Sequence, residues 1–164
     1  VIPKAQAFFK RVSGSIDGVL TLNVAGMEVV KRHPCRTGQR SAIGDPWKRG
    51  AGPIPLGNLW LWLDPIDNGP DLPNTPGGIG RFYNISSGAD RRLIVKPGEP
   101  GKFRMDIGLH PENAFAGSAG CPVLLHDTPQ RRQGVLTLFD ALGDLKAQGL
   151  NRIRLLSFVG ERDS

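Results

Sequence analysis

The 22 glycines and 14 prolines distributed along this chain exclude long helices from most of it. Proline lacks the amide donor that a helical turn requires, and glycine loses the most backbone entropy when it is fixed. Short strands joined by turns suit such a chain better. Its 164 residues match the usual size of one domain, so a single unit over 1–164 with one core is expected. A hydrophobic fraction of 39% can build that core and argues against disorder.

Local patterns supply the elements. From Gly18 to Arg32, Leu20, Leu22 and Val24 alternate, the chain turns at Ala25-Gly26, and Met27, Val29 and Val30 follow, which reads as a β-hairpin. Arg36 to Arg40 is a polar loop, and Gly50 to Gly57 is held extended by its glycines and prolines. Asn58 to Leu63 is aromatic and apolar, so a strand buried on both faces is expected, with Trp60 and Trp62 in the core. Asp64 to Gly80 is a long polar, proline-rich excursion of the kind that carries function or moves.

Arg92 to Lys96 and Lys102 to Ile107 read as strands around the turn Pro97 to Gly101, and Arg152 to Val159 as a last strand. Only one segment is strongly helical. Thr128 can cap it, Pro129 suits its first position, Val135, Leu136, Phe139, Leu142 and Leu145 follow helical spacing, and Gly149 stops it. The expected fold is mainly β, a β-sandwich or curved mixed sheet, with one main α-helix around 129–148.

The formal charge of +6 favours approach to polyanions: nucleic acid, membrane surface or acidic cell wall. Nucleic acid is set aside because no aromatic residues interleave with the basic residues of the first third as a stacking platform. No run approaches the roughly 18 to 20 apolar residues needed to cross a bilayer, and the first residues lack the apolar stretch and cleavage site of a signal peptide. Neither membrane insertion nor an export signal is expected in this stretch of chain. Two cysteines, Cys35 and Cys121, allow at most one bridge and no disulfide framework.

Chemistry concentrates between Asp106 and Cys121. His110 ends a strand, a loop of small residues follows, and Ser118-Ala119-Gly120-Cys121 leads into the apolar run Pro122 to Leu125. A free thiol titrates near 8.5 and needs a neighbouring base to act as a nucleophile at about neutral pH, and His110 is the base in reach. Gly120 lets backbone approach a substrate, and the amides around Gly120 and Cys121 can face a developing oxyanion. Ser118 can orient the imidazole or help bind the scissile carbonyl. Taken alone, such a pair is more often a small buried hydrophobe and a hydrogen-bonded surface histidine. His126 falls an odd number of residues from Cys121 and is read as structural. His33, Cys35, His110, Cys121 and His126 lack the compact ligand pairs of zinc sites, so neither metal nor cofactor is expected.

His110 with Ser118-Ala119-Gly120-Cys121 resembles the His and Ser/Thr-His-Gly-Cys signature of the L,D-transpeptidase (YkuD) family. Gly52 to Leu59 resembles that family's Gly-Pro-Ile-Pro-x-Gly-x-Tyr segment, and Arg36-Thr37-Gly38 resembles its Ser-Gly substrate-side turn. The three segments occur in the family's order and together span roughly Gly18 to His126. Ala119 replaces the family's second motif histidine, and the loop from His110 to Cys121 is short. Both departures are more similar to the compact branch that includes type VI secretion effectors and phage-associated relatives.

The resemblance implies an L,D-transpeptidase-like catalytic domain acting on peptidoglycan stem peptides in the periplasm or cell wall, delivered there or exported. Cys121 and His110 would be catalytic, aided by Ser118 and Gly120. Arg36, Thr37, Gly38, Pro53 and Gly57 would flank the substrate groove, with Arg36 facing a stem carboxylate. The partners implied are the stem peptides and, in an effector, an immunity protein or a secretion or phage carrier. The alternative is a non-catalytic wall-binding or structural module that keeps the fold.

Overall fold

A computed structural model describes residues 2–67, 80–112 and 119–163. Strands β1 (Ala5–Val12), β2 (Asp17–Val24) and β3 (Met27–Arg36) form an antiparallel meander. β4 (Gly57–Trp62), β5 (Ile66–Asp67) and β6 (Arg81–Ser86) follow, then the hairpin β7 (Leu93–Lys96) and β8 (Glu99–Met105). β9 (Gly108–Pro111), β10 (Val123–Leu124), the helix α1 (Pro129–Ala147) and β11 (Arg152–Gly160) complete the chain.

The turn at Ala25-Gly26 has positive φ at both residues, 51° and 80°, which matches the twist of a two-residue hairpin. The helix begins where Thr128 Oγ1 accepts from the Arg131 amide, with Pro129 in the first turn. Its buried face is Val135, Leu138, Phe139, Leu142 and Leu145, so Leu138 fills the place expected of Leu136.

The fold is mainly β with one main helix. The large sheet is mixed: β1 runs parallel to β11, β9 runs parallel to β10, and the remaining pairs are antiparallel. It runs β4-β11-β1-β2-β3-β10-β9-β6, and the pairs Trp60–Ser86 and Leu61–Ile85 join β6 back to β4. Eight strands thus close into a barrel, and the expected sandwich is not what the pairing gives. Closure removes free sheet edges, the alternative to covering them with a second sheet.

A cluster of buried residues joins the inward sheet side chains to the helix. Phe9, Leu20, Leu22, Leu61, Ile85 and Leu109 meet Phe139 and Leu142 there, each apolar side chain contributing about 1.5–3 kcal/mol relative to exposure. β4 alternates instead of being buried on both faces. Leu59 and Leu61 point into the core, whereas Trp60 and Trp62 are half-buried on the outer face under cationic side chains. The Arg154 and Arg152 guanidinia lie 3.6 and 3.9 Å from the Trp60 ring centroid, and Arg91 lies 4.8 Å from that of Trp62. Residues 68–79 of the proline-rich excursion lie outside the described residues.

Candidate functional site

Strand β9 places the candidate base. It pairs with β6 (Tyr83 with Leu109, Asn84 with Gly108) and with β10 (His110 with Val123, Pro111 with Leu124). Alternation sends Leu109 and Leu124 into the core, leaving Gly108, His110 and Val123 on the opposite face. Phe82 confirms this from the side. Its ring stacks on His110 with centroids 5.6 Å apart, and a Cβ on Gly108 would lie 2.3 Å from the same ring.

Cys121 lies on that face beside Gly108. The Gly108 amide donates to Cys121 Sγ at 3.4 Å, and the sulfur faces the Asp106 carbonyl at 3.8 Å. Gly108, whose amide meets the sulfur, and His110 are two residues apart on one strand and share its face, but His110 is buried and is not among the residues that line the cleft beside Cys121. Cys35 pairs with Leu124 on the core face and donates to the His33 carbonyl at 3.3 Å. The sheet therefore separates the two thiols, and both are free.

Burial pushes the Cys121 thiol up, while the Gly108 amide and the Arg104 guanidinium pull it back. Burial depresses His110, partly offset by its bond to the Pro111 carbonyl. Both groups rest neutral at neutral pH. That bond, 2.8 Å from Nδ1, also fixes the tautomer. A carbonyl only accepts, so Nδ1 carries the proton and Nε2 keeps its lone pair. Cys35 is pushed well above its ordinary value by complete burial and is inert by comparison.

Three of the residues expected to flank the groove meet under Gly120. Thr37 Oγ1 donates to the Gly120 carbonyl at 2.8 Å and accepts from the Ile54 amide at 2.8 Å. Gly38 has φ 73°, and a Cβ there would lie 2.6 Å from the Pro53 nitrogen, so only glycine permits this approach. Thr37, Gly38 and Pro53 are all buried. They therefore support the Cys121 loop from below and do not form an open wall.

The cleft beside Cys121, about 300 Å³, is instead walled by Arg49, Met105, Asp106, Ile107 and Ala119. Arg36 lies elsewhere, in a separate depression, and pairs with Glu112 at 3.3 Å and Asp17 at 3.5 Å. Gly57 opens β4 opposite Ser157, exposed and away from the cleft. Ser118 lies outside the described residues. His126 Nε2 bonds the Glu112 carbonyl at 2.7 Å. Among the described residues no three His, Cys, Asp or Glu side chains form a set able to hold a metal ion.

Of two further residues around the thiol, Arg104 carries no signal in the sequence and Asp106 marks only the start of the informative segment. Among the described residues Arg104 is the largest fully buried side chain, yet in the sequence it falls in the ordinary strand read over Lys102 to Ile107. Asp106 sits at φ 57°, a left-handed conformation that aspartate tolerates, with its carboxylate held by Arg92 at 2.7 and 3.1 Å. The chain matches no protein-family model, no curated protein and no solved structure.

Proposed function

We propose that this protein is a cysteine-dependent acyl-transfer enzyme acting on peptidoglycan stem peptides, an L,D-carboxypeptidase or endopeptidase or an L,D-transpeptidase. The observation that carries the reading is the placement of Cys121 at a cleft, with the Gly108 amide on its sulfur and His110 on the same face with Nε2 unprotonated. On this reading the closed mixed sheet is a compact form of the L,D-transpeptidase-like catalytic domain, serving as an antibacterial effector or wall-degrading protein in the periplasm. The net charge of +6 suits an acidic wall.

His110 Nε2 takes the thiol proton as the Cys121 sulfur attacks the carbonyl carbon of the scissile amide. The carbonyl electron pair moves to oxygen, where the amides around Gly120 and Cys121 receive the charge. As that pair returns, the C–N bond breaks and the imidazolium gives its proton to the leaving amine, which leaves a thioester. Water, deprotonated by His110, then releases a carboxylate, or an amine acceptor forms a new amide. Either way the thiol is restored.

Because thiol and imidazole both rest neutral, the proton moves within the reaction and no ion pair exists beforehand. A non-catalytic wall-binding module is the second reading, favoured by the 8% exposure of Cys121 and by alanine at position 119. Mass spectrometry of stem peptides incubated with the protein separates the two. Trimmed, exchanged or cross-linked peptide is expected from the wild type, with loss by several orders of magnitude in Cys121→Ala. Product that persists undiminished in that variant overturns the enzyme reading, and no product from the wild type favours the module.

A further inference from the structure

We propose that Arg104 is the positioning residue of the Cys121 site, fixing the backbone that carries the thiol and standing as the counter-charge that stabilises its thiolate. The proposal rests on the reading of Cys121 as a nucleophile. Arg104 projects from β8 and is 2% exposed. Its Nη1 donates to the Pro46 carbonyl at 2.7 Å and the Gly52 carbonyl at 3.0 Å, and its Nη2 donates to the Ala119 carbonyl at 2.5 Å. One planar guanidinium thus joins the 46–52 loop to the residue two before the thiol.

Each of those acceptors is a neutral carbonyl. Among the described residues no carboxylate lies within ion-pair distance of Arg104, although Asp45 acts on it from further off. Burying a full cation against dipoles alone carries a desolvation cost that a neutral residue of similar shape would not. The cation therefore calls for a function. Asp106 lines the same cleft, but Arg92 takes up its carboxylate, whereas Cys121, which also lines the cleft, can acquire negative charge.

Gly120 gives the second sign. A Cβ on Gly120 would lie 2.3 Å from Arg104 Nη2 and 2.7 Å from the Gly52 carbonyl oxygen. The glycine before the nucleophile is thus the opening through which the guanidinium reaches the loop. The field acts both ways: Arg104 favours the thiolate, and Cys121 favours the cation.

The test is the pH profile of Cys121 alkylation by iodoacetamide, followed by peptide mapping, in the wild type, Arg104→Lys and Arg104→Met. It needs no peptidoglycan, so its failure is distinguishable from that of the enzyme reading, which turnover on stem peptides reports. Loss of the charge in Arg104→Met is expected to raise the midpoint by about one unit, a roughly tenfold slower reaction at fixed pH below it. Arg104→Lys is expected to recover at least half of that shift, which a purely space-filling role would not do.

An unchanged midpoint in folded Arg104→Met overturns the proposal. Should Arg104→Met fail to fold, the wild type still decides. In arginine-labelled protein, one slowly exchanging guanidinium resonance is expected to titrate with the Cys121 midpoint and to lose that transition in Cys121→Ser. Guanidinium resonances that ignore the Cys121 titration overturn the proposal equally.

Discussion

Replacing Gly120 by alanine tests the support of the thiol loop, because the structure contains its own control. Gly120 has φ 124° and Gly57 has φ 134°, so an L side chain is conformationally strained at both. That strain costs about 1–3 kcal/mol at each position. The surroundings differ. Nothing lies within 4 Å of a Cβ on Gly57, whereas the methyl on Gly120 would meet Arg104 Nη2 at 2.3 Å and the Gly52 carbonyl at 2.7 Å. Overpacking of this kind adds about 1–3 kcal/mol.

Gly120→Ala is therefore expected to cost roughly 2–6 kcal/mol and Gly57→Ala roughly 1–3 kcal/mol. At about 2–4 °C per kcal/mol for chains of this size, the first lowers Tm by some 4–24 °C. Urea denaturation followed by tryptophan fluorescence gives both numbers on one protein. Equal losses in the two variants would refute the claim that the guanidinium is packed against the Gly120 α-carbon.

Thr37→Val removes the hydroxyl that serves both the Gly120 carbonyl and the Ile54 amide, so two buried hydrogen bonds are lost together. It is expected to cost about 2–4 kcal/mol in denaturant unfolding, with Thr37→Ser close to wild type. Burial depresses His33 and His110 below their ordinary value, so the unfolded chain binds protons before the folded one does. Stability is then full above about pH 6.5 and falls as pH drops from there through the folded values, and urea midpoints that stay level from pH 7.5 to 5.5 would contradict this. His110→Gln keeps a donor for the Pro111 carbonyl but removes the base. Turnover on stem peptides is expected to fall by about 10²–10⁴-fold with Tm little changed, and retained turnover would remove His110 from the mechanism.

Features encoded locally were legible. The Thr128-Pro129 start and Gly149 stop delimit the helix, and Ala25-Gly26 marks the first hairpin. The strand β1 was not read, because Gln6, Lys10 and Arg11 obscure an alternation of Ala7 and Phe9 that becomes clear only when β2 and β11 flank it. Barrel closure rests on two residue pairs between β4 and β6, segments some 25 residues apart, and no local pattern announces such a pairing.

The same division runs through the site. Cys121, His110 and Gly120 stand out in the sequence by residue type and order, whereas Thr37 and Gly38, expected at the groove wall, are buried. The disposition of charge does not stand out. Arg36 is expected from the sequence to face a stem carboxylate, yet Asp17 and Glu112 take it up from distant segments. Arg104 has no distinguishing mark in its strand, yet it is buried because the carbonyls that receive it come from residues 46–53 and 119.

In the proposed reaction Cys121 carries an acyl group from a stem peptide. Intact-protein mass spectrometry after rapid acid quench of the protein with excess stem peptide measures that directly. The expected product is an adduct equal to the peptide minus its leaving amine, mapped to Cys121 and discharged by hydroxylamine. Unmodified protein alongside converted peptide, or an adduct mapped to any other residue, would contradict it.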